Sequence, residues 1–138
     1  MRRYLLDTNI CIYIKNNRPA EVLERFSKLP PGTVAMSVVT HGELCFGAEK
    51  SLKTREAKQT LDALIALIPA LPLDEAVSAH YGKIRQYLGA KGIIIGNNDL
   101  WIAAHALAKE LILVTNNTAE FQRVPKLRVE NWVKPLNA

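Results

Sequence analysis

Apolar positions follow two rhythms along the chain. Short unbroken runs, Arg3-Tyr4-Leu5-Leu6, Val34 to Ser37 and Leu111 to Thr115, read as β-strands buried on both faces. Between them the spacing is helical. A helix is predicted just after Asp7, with Ile10, Cys11 and Ile14 on one face. Arg18-Pro19 opens a second, whose stripe is Val22, Leu23, Phe26 and Leu29, and Pro30-Pro31-Gly32 stops it. A third is expected from about Val38 to Ser51 and a fourth from Glu56 to Ile68. Pro69 and Pro72 bracket a short extended piece ending at Leu73. Asp74 then suits the N-cap of a fifth helix carrying Val77, Tyr81, Ile84 and Leu88, ended by Gly89 or Gly92. An alanine-rich helix is predicted from about Asn98 to Glu110, and Arg128 to Glu130 as a last strand. Strands alternating with helices imply an α/β sandwich around a mainly parallel sheet, a class that places ligands at the carboxyl ends of its strands.

Composition narrows the class. At 138 residues, 49% hydrophobic and 22% charged, the chain has one domain's worth of sequence and an ordinary globular balance. The longest apolar run, Ala63 to Leu73, holds two prolines and is too short for a membrane span. Asp7, Thr8 and Asn9 interrupt the apolar stretch after Arg2 and Arg3 before a signal-peptide core forms, so a soluble, cytoplasmic protein with no membrane partner is expected. Cys11 and Cys45 cannot frame a disulfide scaffold, contain no CxxC pair for zinc, and read as buried free thiols. Eighteen Lys and Arg against thirteen Asp and Glu give a net charge of +5, which favours an anionic partner, nucleic acid first.

Four acids then stand out by position: Asp7, Glu43, Asp99 and Glu120. Each has a plain structural reading. Asp7 suits a helix N-cap. Glu43, in Thr40-His41-Gly42-Glu43, matches a capping box. Asp99 suits the dipole of a first helical turn, and Glu120 a solvated loop. Taken together, they lie near strand ends and helix starts, where converging carboxylates are costly without a cation. Hard oxygen ligands select Mg²⁺ or Mn²⁺ over zinc, and such an ion activates water against a phosphoryl group.

At these residues the chain resembles PIN-domain ribonucleases, and more narrowly the VapC-type toxins of bacterial toxin–antitoxin pairs. The matching pieces are Leu5-Leu6-Asp7-Thr8-Asn9 and Ser37-Val38-Val39-Thr40-His41-Gly42-Glu43-Leu44. They continue in Gly96-Asn97-Asn98-Asp99-Leu100-Trp101-Ile102-Ala103-Ala104-His105-Ala106 and Val114-Thr115-Asn116-Asn117, then Glu120-Phe121. Order and spacing agree across essentially the whole chain. The resemblance implies a single PIN domain over residues 1–138, a three-layer α/β/α sandwich. Its acidic tetrad maps onto Asp7, Glu43, Asp99 and Glu120. Asp7 and Asp99 would bind Mg²⁺, or Mn²⁺ in its place. Relatives carry Asp either directly after Thr-Asn or just before Phe. Asn117 and Glu120 occupy those two options here, which leaves the fourth ligand open. Thr8, Asn9, Thr115 and Asn116 would hydrogen-bond the carboxylates. The implied function is a toxin that hydrolyses RNA by activated water, with no covalent protein intermediate, and so inhibits translation; transfer RNA is among the targets relatives cut. The implied partners are a VapB-type antitoxin, promoter DNA through that antitoxin, and a second copy in a homodimer. Two alternatives stand beside it: a non-catalytic binding module, and a PIN nuclease of RNA processing without a toxin role.

Other residues carry weaker signals. Lys50, Lys53, Arg55 and Lys58 form the densest basic stretch, either a solvated face or an RNA-backbone contact at the rim of the acidic pocket. Trp101 and Trp132 offer rings for base stacking, although Trp101 sits in a packing pattern. Ile12, Tyr13 and Phe26 are expected to present apolar surface to a partner. His41, Glu43 and Cys45 lack the Pro-Cys-x-x-Cys of zinc deaminases. His105 reads as a packing or hydrogen-bonding histidine.

Overall fold

In the strands the side chains alternate between two buried faces. The computed structural model describes residues 1–133. Its sheet has five parallel strands in the order β3-β2-β1-β4-β5, where β1 is Tyr4–Leu6, β2 Val34–Ser37, β3 Ala70–Leu71, β4 Ile112–Val114 and β5 Val129–Glu130. Tyr4, Leu6, Val34, Met36, Ile112 and Val114 point into one apolar cluster, and Leu5, Ala35 and Leu113 into the other. That two-sided burial is why these strands read as continuous apolar runs.

Helices cover both faces. On the first face lie α1 (Thr8–Lys15), α2 (Ala20–Ser27), α3 (Val38–Glu49) and α4 (Thr54–Leu67). On the second lie α5 (Glu75–Lys91) and α6 (Asn97–Ala108). Ala103, Ala104 and Ala106 are fully buried, as close packing of an alanine-rich helix requires. Asp74 caps α5 through a bond from the Val77 N–H, and Gly92 ends it in the left-handed conformation that glycine adopts without strain. The fold is thus the predicted α/β sandwich, and its sheet is wholly parallel. No described helix is long and apolar enough to cross a membrane.

Some expectations change. A short helix, α7 (Thr118–Phe121), replaces the loop assigned to Glu120; it buries Phe121. The capping-box reading of Thr40 to Glu43 fails, because α3 starts directly from β2 with Ser37 as its N-cap, and Thr40 is interior. Cys11 is buried, but Cys45 is only half-buried, with its Sγ 3.4 Å from His41 Nε2. Trp132 offers no stacking surface: it is buried edge-on to Tyr4, with ring centroids 5.4 Å apart, and its Nε1 donates to Glu130. Trp101 is stacked on Tyr81 at 3.8 Å. Ile12, Tyr13 and Phe26 pack partly buried against the first core instead of standing free for a partner.

Candidate active site

Strand order reverses between β1 and β4, since β1 leads outward to β2 and β3 on one side while β4 leads to β5 on the other. A crevice forms at the carboxyl ends of strands flanking such a point. The register fills it. Leu6 pairs with Val114, so the next residues, Asp7 and Thr115, emerge side by side. The Asp7 N–H donates to the Val114 carbonyl at 3.0 Å.

Asp7 is 5% exposed and divides its two oxygens. Oδ1 accepts from the Ile10 N–H at 3.1 Å and caps α1; Oδ2 accepts from the Thr115 hydroxyl at 2.5 Å. Burial pushes its pKa upward, while the Thr115 hydroxyl and the backbone N–H groups of Ile10 and Asn9 pull it back. Thr115 Oγ1 itself accepts from the Asn117 N–H at 2.9 Å.

Glu43 projects from α3 toward α1. The Thr8 hydroxyl donates to Glu43 Oε1 at 2.8 Å and lies 3.2 Å from the Thr40 hydroxyl. One proton cannot serve both, so Thr40 donates to Thr8 and Thr8 to Glu43.

Asp99 and Glu120 meet beside Gly96. A Cβ at Gly96 would stand 3.8 Å from Asp99 Oδ2 and 4.0 Å from Glu120 Oε1. Asp99 is pushed up to about 7, by burial first, then by a hydrogen bond and charge from Glu120, and by the charges of Asp7 and Glu43. Glu120 moves the other way: burial opposes its charge, but the Gly96 N–H, Asp99, Asn117 and the Arg123 charge together favour it. The Gly96 N–H donates to Oε1 at 3.1 Å and Asn117 Nδ2 to Oε2 at 2.5 Å. The two carboxyls are therefore pushed apart, Asp99 toward its protonated form and Glu120 toward its charged form.

Among the described residues, the ion pairs engage Glu24, Glu49, Asp74 and Glu130, and none of these four acids. Nor do three His, Cys, Asp or Glu side chains already converge tightly enough to cage an ion by themselves. The pocket is thus a set of hard oxygen donors without an ion-pair partner among the described residues.

The structure sorts the remaining candidates. Thr8 and Thr115 bond carboxylates as expected. The Asn9 and Asn116 side chains do not: Asn9 borders the cleft beside Glu43, and Asn116 Nδ2 donates to the Tyr13 hydroxyl at 3.1 Å. Of the basic stretch, Lys50 lines that cleft. Lys58 instead pairs with Glu49 at 2.6 Å, which neutralises it, and nothing brings Lys53 or Arg55 to the acids. The Gly96 N–H and the Asn117 amide were missed as supports of Glu120; the Asn117 carboxamide, standing where a carboxylate was one option, was the available signal.

Comparison with known proteins identifies the family. The PIN domain family matches residues 4–127. This chain belongs to the PIN-domain family. It is 44% identical over 132 residues to the tRNA(fMet)-specific endonuclease VapC of Shigella flexneri, covering 96% of this chain and 99% of that protein. It is 43% identical over 133 residues to Ribonuclease VapC2 of Haemophilus influenzae, covering 96% of this chain and all of that protein. Among solved structures it is similar to VapBC2 from Rickettsia felis bound to a DNA fragment from their promoter, with 39% identity, a TM-score of 0.87, and 94% of this chain and 98% of that chain covered. The PIN fold of this chain is therefore of the VapC kind, and Asp7, Glu43, Asp99 and Glu120 all lie at its switch-point crevice.

Proposed function

We propose that this PIN-domain protein is a divalent-cation-dependent endoribonuclease and the toxin of a VapBC-type pair. The observation that carries the reading is the convergence of Asp7 at the end of β1, Glu43 on α3, Asp99 on α6 and Glu120 on α7, none of them in an ion pair among the described residues. An acid pushed up to about 7 by burial and by neighbouring carboxylates is what a site awaiting a cation contains. Oxygen-only donors fit Mg²⁺ or Mn²⁺, and a set too open to cage an ion fits Mg²⁺, which keeps several waters and takes one or two carboxylates. Asp7 and Asp99 would hold it. When bound, the cation supplies an activated water and neutralises charge on the phosphoryl group.

The protein's own part is positional. Thr115 and the Ile10 N–H keep Asp7 oriented and favour its charged form against the effect of burial. Thr8 aims one oxygen of Glu43. Glu120 is fixed by the Gly96 N–H and the Asn117 amide, and its charge strengthens the hold of Asp99 on a proton that a bound cation would displace.

The target and partner follow the relatives. The Shigella protein is named for tRNA(fMet) and the Rickettsia protein was solved with VapB on promoter DNA. For this chain we accordingly propose a structured RNA such as transfer RNA, inhibition of translation in the cytoplasm, a VapB-type antitoxin that binds promoter DNA, and a homodimer. Sequencing RNA ends after brief induction tests activity, substrate and cut site together. Cleavage should vanish with EDTA and fall about 100-fold or more in Asp7→Asn and Asp99→Asn with the fold intact. Undiminished cleavage in both variants would overturn the site; a protein that binds its partner yet cuts no RNA would be a binding module.

A further inference from the structure

Two arginines outside the predicted basic stretch are fastened to the segment that leads into Asp99. Arg123, just past α7, donates from Nη1 to the Ile94 carbonyl at 3.1 Å. Arg85, on α5, donates from Nη1 to the Tyr81 hydroxyl at 2.8 Å, and that hydroxyl donates to Asn97 Oδ1 at 2.5 Å. The Arg85 guanidinium also stands 5.9 Å from the centre of the Tyr81 ring. Ile94 and Asn97 flank Gly96, whose N–H holds Glu120. Both arginines are exposed.

Neither forms an ion pair. Among the described residues, the cations with carboxylate partners are Arg25, Lys28, Lys58 and Lys109. Arg123 does lie near enough to Glu120 to favour its charge. Each guanidinium has given one N–H to a neutral acceptor and keeps four of its five donors. A planar fork held this way forfeits less freedom when it grips a phosphate than a free side chain would. Lys58 lacks that freedom of charge, and the Lys50 ammonium rests 5.1 Å from the centre of the Phe46 ring. Tyr81 has one face covered by Trp101, so the cluster offers charge rather than a stacking shelf.

We propose that Arg85 and Arg123 form a paired grip on the phosphates of the RNA strand beside the Asp99–Glu120 end of the pocket. This rests on the nuclease reading above and adds to it the side on which the strand is held. The test uses labelled single-stranded RNA, first for binding to the Asp99→Asn protein, then for cleavage by the active one. Each of Arg85→Gln and Arg123→Gln should reduce the slope of log affinity against log salt by about 0.7. In the active protein each should raise KM several-fold, and Arg85→Gln should leave kcat within about twofold. Arg85→Lys and Arg123→Lys should restore the slope, and Lys28→Gln, on the far end of α2, should leave both readouts unchanged. Unaltered slope and KM in both Gln variants, with RNA still bound and cut, would overturn the grip and leave the nuclease reading standing. So would a loss of kcat that lysine does not rescue, since that is a structural role. A wild-type protein that neither binds nor cuts RNA would overturn both.

Discussion

At the scale of single residues, Asp7 shows why helix cap and site residue are not competing readings. A carboxylate has two oxygens, and here one closes α1 while the other faces Thr115. The sequence reveals the position of Asp7 because an apolar strand ends on it. It does not reveal Thr115 as its partner, since 108 residues separate them and only the register of β1 on β4 brings them together. The fourth acid was open between positions 117 and 120. The structure places both in one unit, with the Asn117 amide donating to Glu120. Thr115→Val keeps the shape but removes the hydroxyl, leaving a buried carboxylate oxygen and the Asn117 N–H without their partner. We expect a loss of about 2–3 kcal/mol in urea unfolding, together with a fall in cleavage. Asp7→Asn should unfold close to wild type while losing activity, because an amide oxygen can still cap α1.

At the scale of elements, helix α3 marks where pattern reading stops. The expected start at about Val38 holds, while Thr40 with Glu43 three residues on offers a rival start inside the helix. Tertiary pairing decides it: β2 runs to Ser37 in register with its neighbours, so the helix begins at the next residue. The long, periodic α5 was readable from its Asp74 cap, with its end open between Gly89 and Gly92 until the structure chose Gly92, whereas α7, four residues long, has no period to read. Ser37 also joins two elements of the site. Its Oγ accepts from the Val39 N–H at 3.1 Å and lies 2.8 Å from Nδ1 of the buried His105 on α6. Ser37→Ala should cost about 1–2 kcal/mol, from the lost cap and the unpaired imidazole nitrogen, measured by urea unfolding. Burial, and then the nearby Lys109 charge, hold His105 below its ordinary value of 6.5. The unfolded chain therefore takes up a proton first as pH falls, and the folded form loses stability below about pH 6.5 until its own, lower value is passed. The urea midpoint should decline between pH 7 and 5 more steeply in the wild type than in His105→Gln, which has no proton to gain; equal slopes would remove His105 from the account.

At the scale of the whole molecule, the acids come from four elements that share no local unit. Asp7 follows β1, Glu43 rides on α3, Asp99 opens α6 and Glu120 sits in α7. Fold class and a site at the carboxyl ends of the strands were readable because alternation of strands and helices dictates them, whereas the switch point between β1 and β4 needed the strand order. The spacing of the carboxylates was not, because it depends on how the two layers of helices pack across a sheet whose strands are two to four residues long. The same dispersion makes the pocket an indicator of global folding. Bringing the acids together costs electrostatic energy, most plainly at Asp99, and unfolding relieves it by separating all four at once. A cation that binds the assembled pocket and not the unfolded chain must then stabilise the entire fold by RT ln(1 + [L]/Kd), about 2.7 kcal/mol at a hundredfold excess over Kd. Titrating Mg²⁺ or Mn²⁺ into the EDTA-treated protein should raise the urea midpoint progressively without changing the slope of the transition, since the surface exposed on unfolding is the same. Asp99→Asn removes one donor and one of the mutually repelling charges. It should therefore start at equal or higher stability than the wild type in EDTA and respond little to either metal. A variant less stable than the wild type in EDTA, or one shifted equally by Mg²⁺, would show that the cation acts elsewhere on the surface.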